Sequence, residues 1–200
     1  TAYRNIPGDP NSIMDNQVRQ VCEDSKHRLW VATSSGLCLL DVATKKFVPF
    51  RIHTKNSKTE YLQFYHLIED TKGDLWTAVS GEGVLHVNTT TGEAHNFNTA
   101  NSGICSNHIN VLFEDRFGNI WIGSYSEGIS IYNPTNGTFR NYKQEDGQED
   151  GLSSNLITGI TEGCDGNIWV STSTGGVNVF SWKSGTFSSL DLFGQKCSCL

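Results

Sequence analysis

An all-β protein built from four repeated units is what this sequence predicts, and three observations carry that expectation. Trp30, Trp76, Trp121 and Trp169 recur 46, 45 and 48 residues apart. Each sits in the same phrase: CEDSKHRLWVATSSG at Cys22–Gly36, IEDTKGDLWTAVSGEG at Ile68–Gly83, FEDRFGNIWIGSYSEG at Phe113–Gly128 and TEGCDGNIWVSTSTGG at Thr161–Gly176. No stretch has a helical period, and only 18% of residues are charged while 20 are Gly, a composition suited to short strands and tight turns. A repeat of this length matches one four-stranded propeller blade. The expected fold is therefore a β-propeller of four four-stranded blades, part of a larger ring.

Within each unit the first strand ends in an acidic residue: 18–23, 64–69, 109–114 and 157–162. Simple alternation puts Ile109, Val111 and Phe113 on one face and Asn110, Leu112 and Glu114 on the other. Apolar residues on both faces suit a strand held between neighbouring sheets. A tight turn follows, D-x-x-G at Asp70–Gly73 and Asp115–Gly118, where the Asp side chain accepts from backbone amides and Gly takes positive φ. His27 stands at the Gly position of the first copy, and Gly163 at the Asp position of the fourth. The second strand carries the Trp, followed two residues later by Ala32, Ala78, Gly123 or Ser171. A large indole beside a small residue lets adjacent sheets interdigitate. A Gly-containing turn leads to the third strand, and a second turn leads to an outer strand near Phe47–Phe50, Ala94–Phe97, Phe139–Tyr142 and Phe187–Leu190.

The units are expected at 16–52, 62–98, 107–143 and 155–193, with a tail at 194–200. Tyr3-Arg4-Asn5 before GDPNSIMDN is similar to Phe139-Arg140-Asn141-Tyr142 before GLSSN. That likeness makes 1–7 the outer strand of a preceding blade.

The net charge is −6, without a basic stripe, which argues against nucleic acid as a partner. No apolar run approaches a membrane span and no leader pattern is visible, so no direct membrane contact is expected. Cys22, Cys38, Cys105, Cys164, Cys197 and Cys199 fit no zinc spacing, and Cys22 and Cys38 fall on strands, where thiols act as small buried groups. The histidines at 27, 53, 66, 86, 95 and 108 are scattered, so neither metal nor cofactor is expected.

The phrase N-x-[VI]-x-x-[VIL]-x-E-D-x-x-G-N-[IL]-W-[IV]-[GA]-[ST], best preserved over Asn107–Ile129, resembles the two-component regulator propeller repeat. The resemblance runs over roughly residues 1–193. It implies a seven-bladed propeller in the periplasmic sensor region of a hybrid two-component histidine kinase. It further implies an oligosaccharide ligand, neighbouring blades or domains as contacts, and possible homodimerisation. The phosphorelay modules of such proteins are not among these residues.

Residues that break the repeat are the candidates for chemistry. Glu23-Asp24, Glu69-Asp70 and Glu114-Asp115 recur in one frame, and adjacent strand residues point to opposite faces. Turn-building, not acid–base catalysis, is the expected role, since catalysis needs two carboxylates in unlike environments. The four in-frame Trp are expected between blades, and Trp182 in a partly exposed turn. Ligands of a propeller gather where the links into the first strands meet the turns between second and third strands. Tyr125, Glu127, Glu82 and Tyr61 break the repeat there and are the candidate ligand-binding residues. An aromatic ring stacks on a sugar while carboxylates accept from its hydroxyls. A non-catalytic sensor segment is the first expectation. A glycan-cleaving propeller enzyme (glycosidase or lyase) and a pure protein-interaction scaffold are the alternatives.

Overall fold

The computed structural model describes residues 2–54, 62–145 and 151–189, and among these every regular element is a strand. The first blade is β1 (Val18–Glu23), β2 (Leu29–Thr33), β3 (Gly36–Asp41) and β4 (Lys46–Pro49). After a short β5 (His53–Thr54) comes the second blade, β6 (Phe64–Glu69), β7 (Leu75–Val79), β8 (Gly83–Val87) and β9 (Glu93–Phe97). The third is β10 (Ile109–Glu114), β11 (Ile120–Ser124), β12 (Ile129–Asn133) and β13 (Thr138–Tyr142). The fourth is β14 (Ile157–Glu162), β15 (Ile168–Thr172), β16 (Val177–Ser181) and β17 (Thr186–Ser189). Each is an antiparallel meander in sequence order, and the sheets stack so that β1, β6, β10 and β14 are consecutive neighbours. This is propeller architecture.

Three details depart from the simple reading. The second sheet has five strands, because β5 pairs parallel with β9, His53 opposite Glu93 and Thr54 opposite Ala94. The link after Phe50 thereby covers an outer edge whose N–H and C=O groups would otherwise be unpaired. Second, every first strand carries a bulge, between Val18 and Gln20, Phe64 and His66, Ile109 and Val111, and Ile157 and Gly159. The extra residue breaks strict alternation. Ile109 therefore shares a face with Leu112, toward Trp76 of the second blade, while Val111 and Phe113 face Trp121 and the fourth blade. Third, residues 2–6 form no strand. Tyr3 corresponds in space to Tyr142 rather than to Phe139. Tyr3 meets Phe47 edge-on at 5.3 Å as Tyr142 meets Phe187 at 5.3 Å, and Asn5 N–H donates to Asn16 Oδ1 as Gln144 N–H donates to Asn155 Oδ1.

The core is divided between blades. Trp30 packs with Phe64, Leu67 and Leu75 of the second blade, Trp76 with Ile109, Leu112 and Ile120 of the third, and Trp121 with Ile157, Ile168 and Phe180 of the fourth. All three indoles are fully buried, whereas Trp169 is half-buried. Each of the three donates its indole N–H to an Asp of its own blade: Trp30 to Asp24 at 2.7 Å, Trp76 to Asp70 at 2.9 Å and Trp121 to Asp115 at 2.8 Å. The other carboxylate oxygen of each Asp takes two turn amides, Lys26 and Arg28, Lys72 and Asp74, or Phe117 and Asn119. Asp thus folds the turn and fixes the indole at once. In the fourth blade Gly163 offers no such acceptor.

The paired Glu reaches the other way. Glu69 accepts from Ser25 N–H and Oγ of the first blade, Glu114 from Thr71 N–H and Oγ1 of the second, and Glu162 from Arg116 N–H and Nε of the third. In the acidic pairs the Asp builds the turn, and Glu69 and Glu114 fasten neighbouring blades as Glu162 does, whereas Glu23 bonds His27 within its own turn. The His27 substitution is accommodated at φ 59°, the left-handed conformation its Gly counterparts adopt. Cys38 is buried, whereas Cys22 is only half-buried; burial pushes both thiols up. Cys197 and Cys199 lie outside the described residues. Trp182 is half-buried in its turn, with its ring against Phe117, Trp121 and Phe180.

Candidate functional site

One backbone hydrogen bond recurs at the inner end of every blade. It joins the residue after the second strand to the residue before the first: Ser34 N–H to Gln17 C=O, Ser80 to Gln63, Tyr125 to His108 and Ser173 to Leu156, at 3.0 to 3.1 Å. The two positions therefore lie together on one face of each blade. The bulged residue, Arg19, Tyr65, Asn110 or Thr158, follows two places after the link residue. A bulge turns a side chain out of the ladder, which frees it for something other than pairing.

Folding makes the same demand at each of these columns, yet the residues differ. One column reads Ser, Ser, Tyr, Ser at 34, 80, 125 and 173; the next reads Gln, Gln, His, Leu at 17, 63, 108 and 156. The two aromatic departures, Tyr125 and His108, belong to the same blade. They meet the aromatic bulge residue of the preceding blade, Tyr65. Together with Ser80, Gly81 and Ile109 these three rings line a cleft of about 90 Å³ between the second and third blades. Tyr125 is 43% exposed and His108 is exposed, so both are open to solvent. Gly81 has φ 70°, a left-handed turn conformation that glycine adopts freely, and a Cβ added there would only touch the His108 ring, at 4.0 Å.

Arg19 extends the site toward the first blade. Its guanidinium lies 5.0 Å from the centre of the Tyr65 ring, within cation–π range, and its Nε donates to Ser34 Oγ at 3.3 Å.

Of the residues expected here from sequence, the structure brings Tyr125 into the cleft. Glu82 is exposed beside Gly81 but does not line it. Glu127 is turned toward Lys143, whose Nζ donates to Glu127 Oε2; that bond holds the Glu127 carboxyl below its ordinary range. Tyr61 lies outside the described residues. Single departures from the repeat do not point to Tyr65, Arg19 or His108. The signal was in the columns: the bulge column is different in all four blades, and its aromatic member neighbours the two aromatic departures.

His66, next to Tyr65, points the other way. Its Nδ1 accepts from Leu112 N–H at 3.4 Å across the blade boundary, and burial holds its pKa below the ordinary value. That is an inter-blade contact of a neutral imidazole. Among the described residues, no group of three His, Cys, Asp or Glu side chains is placed to hold a metal ion.

The fold and this face define a propeller with an aromatic cleft between its second and third blades. The sequence profile of the two-component regulator propeller family matches residues 12–35 and 103–126. Two segments of the chain are thus similar to that repeat, one around β1 and β2 and one around β10 and β11. Among solved structures it is similar to the extracellular domain of BT4673 from B. thetaiotaomicron, described as a hybrid two-component system, with 24% identity and a TM-score of 0.76 over 94% of this chain and 26% of that one. It is similar to the corresponding domain of BT3049 from the same organism, at 24% identity and a TM-score of 0.76 over 94% of this chain and 24% of that one. A catalytically inactive virginiamycin B lyase from Staphylococcus aureus, crystallised with quinupristin, is more distant, at 15% identity and a TM-score of 0.64 over 90% of this chain and 57% of that one. These likenesses establish the propeller fold. The chain spans about a quarter of the length of the two extracellular domains. No curated protein sequence matches it.

Proposed function

We propose that this chain is a non-catalytic, ligand-sensing segment of the extracytoplasmic, periplasmic part of a hybrid two-component sensor, and that its ligand is an oligosaccharide. The observation that carries the reading is the meeting of Tyr65, His108 and Tyr125 in one cleft, each at a column where packing asks for nothing aromatic. Aromatic faces stack on the C–H faces of sugar rings, and the imidazole and the Ser80 hydroxyl supply donors and acceptors for ring hydroxyls. The family repeats and the likeness to extracellular domains of two-component systems support the setting. Within it, these blades belong to a larger, seven-bladed ring. Signalling follows from population shift: a ligand held between blades favours one arrangement of propellers or of dimer partners, and the kinase reads that arrangement.

The test is calorimetry against a panel of neutral and charged oligosaccharides, with Tyr125→Ser and His108→Gln as comparison. Both substitutions install the residue that other blades already carry, so folding is preserved. Binding by the wild type and its loss in the variants supports the reading. Absence of binding across the panel removes it. Shortened or unsaturated products after incubation would favour the enzymatic alternative instead.

A further inference from the structure

We infer that the ligand carries an anionic group, a uronate carboxylate or a sulfate ester, and that Arg19 receives it. This rests on the oligosaccharide reading above and specifies the class of sugar. Arg19 sits at the bulge column, where the other blades have Tyr65, Asn110 and Thr158, so the fold does not call for a cation there. It is exposed, and its guanidinium stands over the ring of Tyr65, which lines the cleft. The Nε bond to Ser34 and the Tyr65 face fix the direction of the planar fork, while the two terminal nitrogens have no carboxylate within ion-pair distance among the described residues.

Asp15, whose carboxyl senses this charge, is otherwise engaged. Its oxygens accept from Gln17 N–H at 2.8 Å and Ser35 Oγ at 2.6 Å, and those bonds hold its pKa down. Lys143, a cation beside the turn of the third blade, is paired with Glu127. Among the described residues Arg19 is thus a pre-oriented guanidinium without an ion-pair partner, beside an aromatic cleft. A planar fork of this kind suits a carboxylate or sulfate through two parallel N–H bonds. A neutral sugar would offer it only single hydroxyl acceptors and leave its charge unmatched.

The experiment is a glycan array of neutral, uronate-containing and sulfated oligosaccharides, followed by calorimetry on every binder. Each binder is compared with its methyl-esterified or desulfated form, on the wild type, Arg19→Thr and, as a charge control distant from the cleft, Arg140→Gln. Arg19→Thr installs the residue of the fourth blade's column and preserves folding. The expected result is that binders are acidic, that neutralising the anion weakens them about tenfold or more, and that affinity falls with added salt. Arg19→Thr should abolish the preference for the acidic form, and Arg140→Gln should keep it. Esterified against desulfated pairs show which anion is used. If binders are neutral, or Arg19→Thr leaves the acidic preference intact, the anionic assignment is wrong while the sugar-sensing reading stands. If nothing binds, both fall together.

Discussion

Glu114 in the third blade accepts two hydrogen bonds from Thr71 in the second, from the backbone N–H at 2.8 Å and from the hydroxyl at 2.9 Å. The same reach joins Glu69 to Ser25 and Glu162 to Arg116, so one acidic residue fastens each hairpin turn to the next blade. Stability here is a sum of blade and boundary contributions. The boundary contribution can be isolated. Glu114→Ala should destabilise by about 1–3 kcal/mol, because both donors lose a charged acceptor. Glu114→Gln should cost less, since its amide oxygen still takes the N–H and the hydroxyl can reverse its bond. A double-mutant cycle with Thr71→Val, read by denaturant unfolding, should give a coupling of about 0.5–1.5 kcal/mol. Strictly additive effects would mean that the pair is incidental.

The tryptophans should not be equivalent, despite their common phrase. Trp121 is buried against the fourth blade and bonded to Asp115, whereas Trp169 is half-buried and faces Gly163. Trp121→Ala should cost about 3–5 kcal/mol, and Trp169→Ala clearly less. Asp115→Ala should itself cost about 1–3 kcal/mol, because it strands a buried indole N–H as well as two turn amides. Equal losses at Trp121 and Trp169, measured as shifts in denaturation midpoint, would contradict the inter-blade assignment.

Much of this architecture is legible in the sequence, and the reasons are particular. The strands of each blade fall close to where the Trp phrase and its turns place them, because Asp24, Asp70 and Asp115 act within six residues of the indoles they bind. Local chemistry repeats in local sequence. The bulge at Arg19, Tyr65, Asn110 and Thr158 leaves no composition signal, so alternation alone assigned Ile109 to the wrong face. Glu114 to Thr71 spans 43 residues, and Lys143 to Glu127 joins an outer strand to an inner turn. Such pairings depend on how sheets stack and not on neighbours in the chain. The cleft was half visible: Tyr125 stood out singly, but its partner Tyr65 belongs to another blade.

Two acidic residues should respond to pH in opposite directions. Burial alone would raise the Asp70 pKa, but the nearby His86 ring, the Trp76 indole and the amides of Asp74 and Lys72 outweigh it and hold the carboxyl down at about 2. His86 Nε2 stands 3.4 Å from Asp70 Oδ2 and 3.6 Å from Asp74 Oδ2, an electrostatic contact more than a formed bond. A folded pKa below the ordinary 3.8 gives stability that is present above that value and lost as pH falls through about 2. Its size is about 2 kcal/mol. Asp70→Asn turns an amide donor toward the Trp76 N–H, so the variant should lack this stability at pH 6 and approach the wild type near pH 2. Glu114 runs the other way: burial and the charges of Asp70 and Asp115 raise its pKa against the bonds from Thr71. Its relative contribution is greatest below the ordinary 4.5 and declines as pH rises through the folded value. The wild-type minus Glu114→Gln difference should therefore shrink between acid and neutral pH. A parallel pH dependence for the two variants would show that these environments are misassigned.

The small residue two places after each Trp is set by its partner across the strand pair. Gln20 faces Ala32, His66 faces Ala78, Val111 faces Gly123 and Gly159 faces Ser171. Gln20 and His66 send their polar ends across to the next blade, to Leu67 and to Leu112, which leaves room for a methyl group behind them. Val111 is branched at Cβ and stays in place, and the opposing residue is reduced to Gly. A Cβ added at Gly123 would lie 2.6 Å from Val111 Cγ1 and 2.7 Å from Ile157 Cγ2, too close for either side chain to yield freely. The fourth blade exchanges the sizes, Gly159 against Ser171. Gly123→Ala should therefore destabilise by about 1–3 kcal/mol through overpacking, even though Ala fills the same column in two other blades. Val111→Ala in the same chain should recover a substantial part of that loss, because the pair then resembles the volumes its neighbours use. Denaturant midpoints of the two single variants and the double variant decide the matter: a double variant as unstable as the sum of the singles would mean that Ile157 or the strand backbone, not Val111, governs this position.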